Sequence, residues 1–349
     1  MPRPRFLPDN FTLALITTVL LASLLPCEGQ VALAFNQVTS LAIGLLFFLH
    51  GAKLPREAIV DGAAHWRLHL TVLACTFALF PLLALGLQPL LAPLVTPDLY
   101  LGILFLAVLP STVQSSIAFT SVARGNVPAA ICSASASNLV GIFISPLLVG
   151  LVVVQHGAAA SGGAQASFDS VTHIALQLLL PFVAGQIARR WIGAWVDHHK
   201  AVLKYVDQGS ILLVVYTAFS EAVNQGLWHQ LPLPALGGLF VVCAVLLASA
   251  LILTTVVARR LGFAKDDEIT IVFCGSKKSL ASGIPMAKIL FAGHAVGVVV
   301  LPLMLFHQIQ LMVCAVLAQR YAARLHLPPQ AAAAKVAADH GPEAEAAAD

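Results

Sequence analysis

Charge is what this chain has least of. Of 349 residues, 19 are Lys or Arg and 16 are Asp or Glu, 10% in all, against roughly 25% in an ordinary water-soluble globule. With 59% hydrophobic residues and a mean hydropathy of +0.89, the expected solvent is the lipid bilayer. Cysteine is scarce and unpatterned. Cys75, Cys132, Cys243, Cys274 and Cys314 lie inside apolar stretches and Cys27 alone in a polar connection, which leaves no disulfide framework and no metal-ligand spacing. No cofactor is expected. The net charge of +3 comes from basic residues scattered over short loops rather than gathered in one patch, which argues against nucleic acid as a partner. Carboxylates are nearly missing from the apolar segments, where Glu221 stands alone.

The positive charges that are present follow a rule. They occupy every second junction: Arg3 and Arg5; Lys53, Arg56 and Arg67; Arg124; Arg189, Arg190, Lys200 and Lys204; Arg259, Arg260 and Lys265; Arg320, Arg324 and Lys335. The junctions between, at 27–30, 96–98, 155–169, 224–234 and 293–294, carry none. A polytopic membrane protein records its orientation in this way, with Lys and Arg on the cytoplasmic side. The expected location is a plasma membrane of the bacterial inner-membrane type, with both termini cytoplasmic. Lys277, Lys278 and Lys288 fall outside the alternation.

Segments near 11–26, 31–50, 68–88, 98–122, 127–154, 170–188, 208–224, 233–258, 268–292 and 296–319 approach the length of about 20 mostly apolar residues that a spanning helix needs. Arg3, Arg5 and the apolar run from Phe11 have the outline of a signal peptide, but Pro26 before Cys27 fits a lipoprotein cleavage site poorly, and an uncleaved first span is expected. The fold class is therefore an all-α polytopic membrane protein of ten transmembrane helices. Two halves of five spans, 1–155 and 156–325, must insert with opposite orientation, because an odd number per half inverts the second: an inverted repeat. The alanine-rich, acidic stretch 326–349 reads as a disordered cytoplasmic tail.

The fourth and ninth spans are interrupted at corresponding places, by PSTVQSS at 110–116 and GSKKS at 275–279. Broken helices expose backbone groups that lipid cannot satisfy, so paired interruptions point to a transporter's binding site. Lys277 and Lys278 lie mid-span, where an ammonium costs at least ~2.5 kcal/mol. Flanked by Ser276 and Ser279 and near half-helix N-termini, they form a site suited to an anion. The alternative is a fixed internal cation held by Glu221 or by broken-helix carbonyls. Lys288 lies near the outer end and is expected to snorkel. Gln114, Ser115 and Ser116 join the site from the fourth span, Asn138 from the fifth and His307 from the tenth. Ser276 beside Lys277 fails as a nucleophile and base because adjacent helical residues do not face one another, neither it nor Ser111 with His307 sits in a specific motif, and no enzyme is expected.

The segments PSTVQSSIAFTSVARGNVP at 110–128 and FCGSKKSLASGIPMAKILF at 273–291 resemble the bile acid:sodium symporter superfamily, in its SBF-like branch, and the resemblance extends over roughly residues 8–325. It implies spans four and nine crossing as broken helices in a core domain with three, five, eight and ten, facing a panel of one, two, six and seven, with substrate between. Where sodium-coupled members place Glu-Val-Gly-Met-Gln-Asn, this chain has Phe273 to Lys278. Phe273 replaces the sodium-ligating glutamate, two lysines replace the Gln-Asn pair, Ser116 stands near the fourth-span ligands, and the hydroxyl ligands of the fifth align with Ser133, Ser135 or Ser137. The sodium site is read as degenerate, with an ammonium in its place. The expected function is secondary transport of a small organic anion by alternating access, without sodium coupling, by a monomer whose partners are its substrate and the bilayer. A membrane regulator of the same fold, acting through protein partners, is the second reading.

Overall fold

The computed structural model describes residues 10–53, 65–154, 168–224, 226, 233–291 and 296–324, and among these the regular structure is helical throughout. The helices are α1 (Asn10–Leu24), α2 (Gly29–Lys53), α3 (Trp66–Gly86), α4 (Pro97–Val108), α5 (Gln114–Val122), α6 (Val127–Leu148), α7 (Phe168–His198), α8 (Lys200–Asn224), α9 (Leu233–Arg260), α10 (Lys265–Gly275), α11 (Leu280–Leu290) and α12 (Val296–Arg324). Among the described residues, α2, α3, α6, α8, α9 and α12 are long and apolar enough to cross a membrane. Helices satisfy their own backbone, which lipid requires. Their outer faces carry Leu24, Leu41, Leu82 and Leu180, between 66% and 77% exposed, a surface that water would not tolerate on this scale. The chain is a multi-pass membrane protein. The expected tail at 326–349, the junction at 155–167 and the basic residues Arg3, Arg5, Arg56 and Lys335 lie outside the described residues.

Both interruptions are present, and both are shorter than the sequence led us to expect. The first runs from Leu109 to Val113, so Gln114, Ser115 and Ser116 belong to the opening turn of α5. The second runs from Ser276 to Ser279. Two helices are longer than expected. The apolar window placed the seventh span at 208–224, but the helix starts at Lys200, which brings Asp207 inside it. The sixth, expected at 170–188, runs on to His198.

Two packing groups position the site. In one, α7 lies along α2, and α8 packs on α1 and α2. The α2–α7 contact is backbone on backbone: a Cβ at Gly51 would sit 2.1 Å from the Phe182 carbonyl oxygen, and one at Gly185 would sit 1.9 Å from that of Phe48. Glycine is what lets these helices meet. In the other group, α10 packs on α3, α5, α6 and α9, while α12 packs on α4, α9 and α11. The turn at 123–126 ties α5 and α6 to the start of α10. Arg124 takes a left-handed φ of 59°, a Cβ at Gly125 would meet Ile269 at 2.6 Å, and the Asn126 amide donates to the Asp267 carboxylate at 2.9 Å while its oxygen caps Ala129 N–H.

Candidate functional site: a helix crossing and the cavity in front of it

Where α4 and α10 stop, their chains cross and hydroxyls replace the missing helical bonds. Ser111 Oγ donates to the Cys274 carbonyl at 2.5 Å and Ser116 Oγ to that of Phe273 at 2.9 Å. Ser279 N–H donates to the Pro110 carbonyl at 2.9 Å. Ser137 Oγ accepts from Ser111 N–H at 3.0 Å, Asn138 Nδ2 donates to the Ser111 carbonyl at 2.7 Å, and Asn138 Oδ1 accepts from Ser282 Oγ at 2.8 Å. Gln310 brackets Lys278, its Oε1 accepting from the Lys278 N–H and its Nε2 donating to the Lys278 carbonyl, both at 3.0 Å.

Both lysines of the second break are fully buried, and they are held differently. Lys278 Nζ donates to the carbonyls of Thr76 and Ala107 at 2.7 Å and of Leu109 at 2.8 Å, which uses all three of its N–H bonds. It also lies 4.2 Å from the centre of the Phe80 ring. The sequence makes each acceptor available. Ala107 and Leu109 sit at the end of α4, beyond which no helix continues. Thr76 lies in a π-turn at Cys75–Leu79, where Phe80 N–H bonds Cys75 instead, and the next residue, Pro81, has no N–H to offer. Lys277 Nζ has no hydrogen-bond partner among the described residues. It lies 4.3 Å from the Phe119 ring centre and 5.4 Å from that of Phe273, where cation–π attraction is worth about 2 kcal/mol when water is absent. The negative ends of two half-helices, α4 and α10, thus each have an ammonium nearby, as their dipoles favour.

The positive ends point the other way. The start of α5 (Gln114 and Ser115, with Thr112 and Val113 just before it) and the start of α11 (Ser279 to Ser282) line one cavity of two adjoining compartments, about 490 Å³ and about 270 Å³. First-turn amides of a helix lack intrahelical partners; at α11 two are bonded locally, Ser279 N–H to the Pro110 carbonyl and Ser282 N–H to Ser279 Oγ, and both helix starts border this space. Its opposite wall is built from α2, α7 and α8: Phe47, His50, Lys53, Phe182, Val196, Asp197, Lys200, Lys204 and Asp207. Lys53 and Asp207 form an ion pair across α2 and α8, and Lys200 lies 3.6 Å from Asp197.

The expected site residues are therefore divided between two places. Gln114 and Asn138 line both compartments, and Ser115, Ser279 and His307 line the smaller. Ser116, Ser276, Lys277, Lys278, Ser133 and Phe273 line neither; they are buried in the crossing or behind it. Ser133 Oγ pairs with His69 Nδ1 at 2.7 Å, and the Phe273 ring packs between Phe119 and Tyr321. Neither central lysine bonds Glu221. Glu221 is held by Lys288 at 2.6 Å, so Lys288 does not snorkel to water, and its side chain is only 17% exposed. His50, Lys53, Lys200, Lys204 and Asp207 were not singled out from the sequence. Lys200, Lys204 and Asp207 at spacing i, i+4, i+7 form one helical face, a signal hidden by starting that span at 208.

Many backbone oxygens at the crossing are already engaged: the Ala107 and Leu109 carbonyls accept from Lys278, that of Val108 from Ser145, and those of Phe273 and Cys274 from serines.

A multi-pass helical protein with two interrupted helices crossing beside a polar-ended cavity has the architecture of a membrane transporter. The chain belongs to the SBF-like CPA transporter family, whose sequence profile matches residues 9–323. It is 71% identical to an uncharacterized protein of Pseudomonas aeruginosa over 93% of this chain and 96% of that one. It is 60% identical to the candidate symporter YfeH of Escherichia coli over 90% and 92%, and 31% identical to sodium/bile acid cotransporter 7 of the rat over 80% and 82%. The protein is a non-enzymatic membrane transporter.

Proposed function

We propose that the protein is a secondary active transporter of an organic anion, working by alternating access. The observation that carries this reading is the convergence of two half-helix N-termini, at 112–115 and 279–282, on a single cavity. Each presents a positive dipole end, and in the first turn of α11 the amides of Leu280 and Ala281 lack intrahelical partners, while Ser279 N–H is held by the Pro110 carbonyl and Ser282 N–H by Ser279 Oγ. Lys204 and Lys200 add positive charge at the mouth, and Phe47, Ile117, Leu139, Ile142, Phe182 and Val196 supply an apolar wall. An amphipathic anion fits such a space: its charged head at the helix starts, its body along the wall. Lys277 and Lys278, which the sequence made the anion's first partners, instead act as fixed internal cations that hold the crossing together.

The rest of the reading follows from that assignment. Residues 1–155 and 156–325 form two inverted repeats of five spans. α1, α2, α7 and α8 are the panel and the remaining helices the core, and the cavity lies between them. The alternating basic junctions put both termini in the cytoplasm of a plasma-membrane protein, so the cavity's lysine-rich mouth opens inward. Transport is not sodium-coupled, because the oxygens a sodium ion would need are bonded to Lys278 and to serines, and the two ammoniums repel it. Orientation is checked by single cysteines: one at 155–169 reacts with an impermeant maleimide from outside, and one near Lys200 does not; the reverse pattern contradicts the ten-span arrangement. The anion is checked by a thermal-shift screen of the purified protein, since a ligand that binds the native state stabilises it. Organic anions should stabilise it and lose that effect in Lys204→Met with Gln114→Ala. Stabilisation by cations or neutral solutes alone would refute an anion site.

A further inference from the structure

We infer that Glu221 and Lys288 are the outer lock of the transport cycle, a charge pair across the moving interface that holds the inward-open state. The inference rests on the alternating-access reading above and does not depend on what the substrate is.

The pair joins the two packing groups. Glu221 is on α8 and Lys288 is on α11, the outer half of the second broken helix, and their charged atoms are 2.6 Å apart. It also lies on the far side of the crossing from the cavity mouth. Glu221 is fourteen residues beyond Asp207 on α8, about 21 Å along the helix. No residue of α8 past Ile211, and none of α11 past Ser282, lines either compartment. The interface around the pair is closed. A Cβ at Gly297 would lie 2.8 Å from Ala222 Cβ and 3.1 Å from the Ala218 carbonyl, Phe219 and Ala222 are buried, and Phe105 meets Phe291 edge-on at 5.2 Å.

Opening the outer side requires α8 and α11 to part here, and that separates the two charges. Among the described residues Lys288 forms this one ion pair, and the remaining pairs lie at the charged end of the molecule. The pair is half-buried, with side chains 17% and 34% exposed, so its attraction is less screened than a surface pair's. The outward state must supply water to both groups instead. The opposite pair, Lys53 with Asp207, joins α2 to α8 within one packing group and need not break when the groups separate. Of the ion pairs among the described residues, Glu221–Lys288 is the one that joins the two packing groups and so reports on the gate.

The test needs no substrate. Gln114→Cys, in a background with the native cysteines changed to alanine, is labelled with an impermeant maleimide in right-side-out and inside-out vesicles. The expected result is labelling mainly from the cytoplasmic side. With Glu221→Gln or Lys288→Met, outside labelling should rise at least about fivefold and inside labelling fall, and Glu221→Lys with Lys288→Glu should return both to the starting ratio. The swap also serves if a single change fails to fold, because it restores the pair. Glu221→Cys with Lys288→Cys, oxidised to a disulfide, should abolish outside labelling until it is reduced. If Gln114→Cys reacts from both sides and the ratio ignores the charge of residues 221 and 288, the lock is refuted while alternating access stands. Failure of every variant, including the reduced cysteine pair, to react from outside refutes both.

Discussion

The two faces of the helix crossing are made of the same kinds of residue and have opposite characters. Behind it lie the C-terminal ends of α4 and α10, two buried ammoniums, and carbonyls bonded one by one to lysine or serine. In front lie the N-terminal ends of α5 and α11, first-turn amides without helical partners, and an open cavity. Breaking a helix creates a negative end and a positive end together. The negative ends must be satisfied as well, and here Lys278 does so from within the chain by bonding three carbonyls, while Lys277 lies between two aromatic rings. Mid-membrane lysines thus reveal where the unused poles are.

The contrast can be broken most severely from behind. Lys278→Met leaves three buried carbonyls without donors, each costing about 1–3 kcal/mol, so this variant should lose its cooperative melting transition or fail to accumulate in the membrane. Lys278→Arg should rescue little, since a planar guanidinium does not fit three converging oxygens. A well-folded Lys278→Met protein with an unchanged melting temperature would show the ammonium to be dispensable. Ser111→Ala should be milder, about 1–2 kcal/mol for one buried bond to Cys274, seen as a lower melting temperature with the cavity intact.

Changes in front should act on binding instead. Lys204→Met removes an exposed charge at the mouth and should leave melting within about 0.5 kcal/mol of wild type. The affinity for a stabilising organic anion should fall about three- to tenfold, less at high salt. Equal loss of stability and affinity would mean that the two faces are not separable. Smallest of all is the sodium effect: exchange of sodium for choline at constant ionic strength should leave the melting temperature unchanged, because an ion bound to the native state would raise it with the logarithm of its concentration over its Kd. A sodium-specific rise would reveal oxygens in a site that the bonding pattern leaves no room for.

Much of this was legible beforehand for identifiable reasons. Apolar length located the helices, and Pro110 and Gly275 marked two breaks because they stop a helix by geometry alone. What the sequence did not reveal was direction. A lysine in a run of serines reads the same whether it points toward a cavity or away from it. Lys278 points away because Thr76 has a free carbonyl, and that depends on Pro81, almost 200 positions distant in the chain. The cavity's other wall was missed for a different reason. Asp207 and Lys204 look like loop charges to a hydropathy window, yet α8 begins at Lys200 and carries them on one face. Glu221 was visible as the lone acidic residue of its segment, but its partner is Lys288 rather than either central lysine.

Lys277 offers the most direct measurement, because it is the charge nearest the second break that has no hydrogen bond to lose among the described residues. The affinity of one organic anion, chosen by thermal shift, should be measured by calorimetry for wild type, Lys277→Met and Lys204→Met side by side. The account predicts an unchanged affinity in Lys277→Met, whose ammonium lies behind the crossing between Phe119 and Phe273, and a weakened one in Lys204→Met. Loss of binding in a folded Lys277→Met protein, with Lys204→Met unaffected, would put the anion behind the crossing and contradict the account.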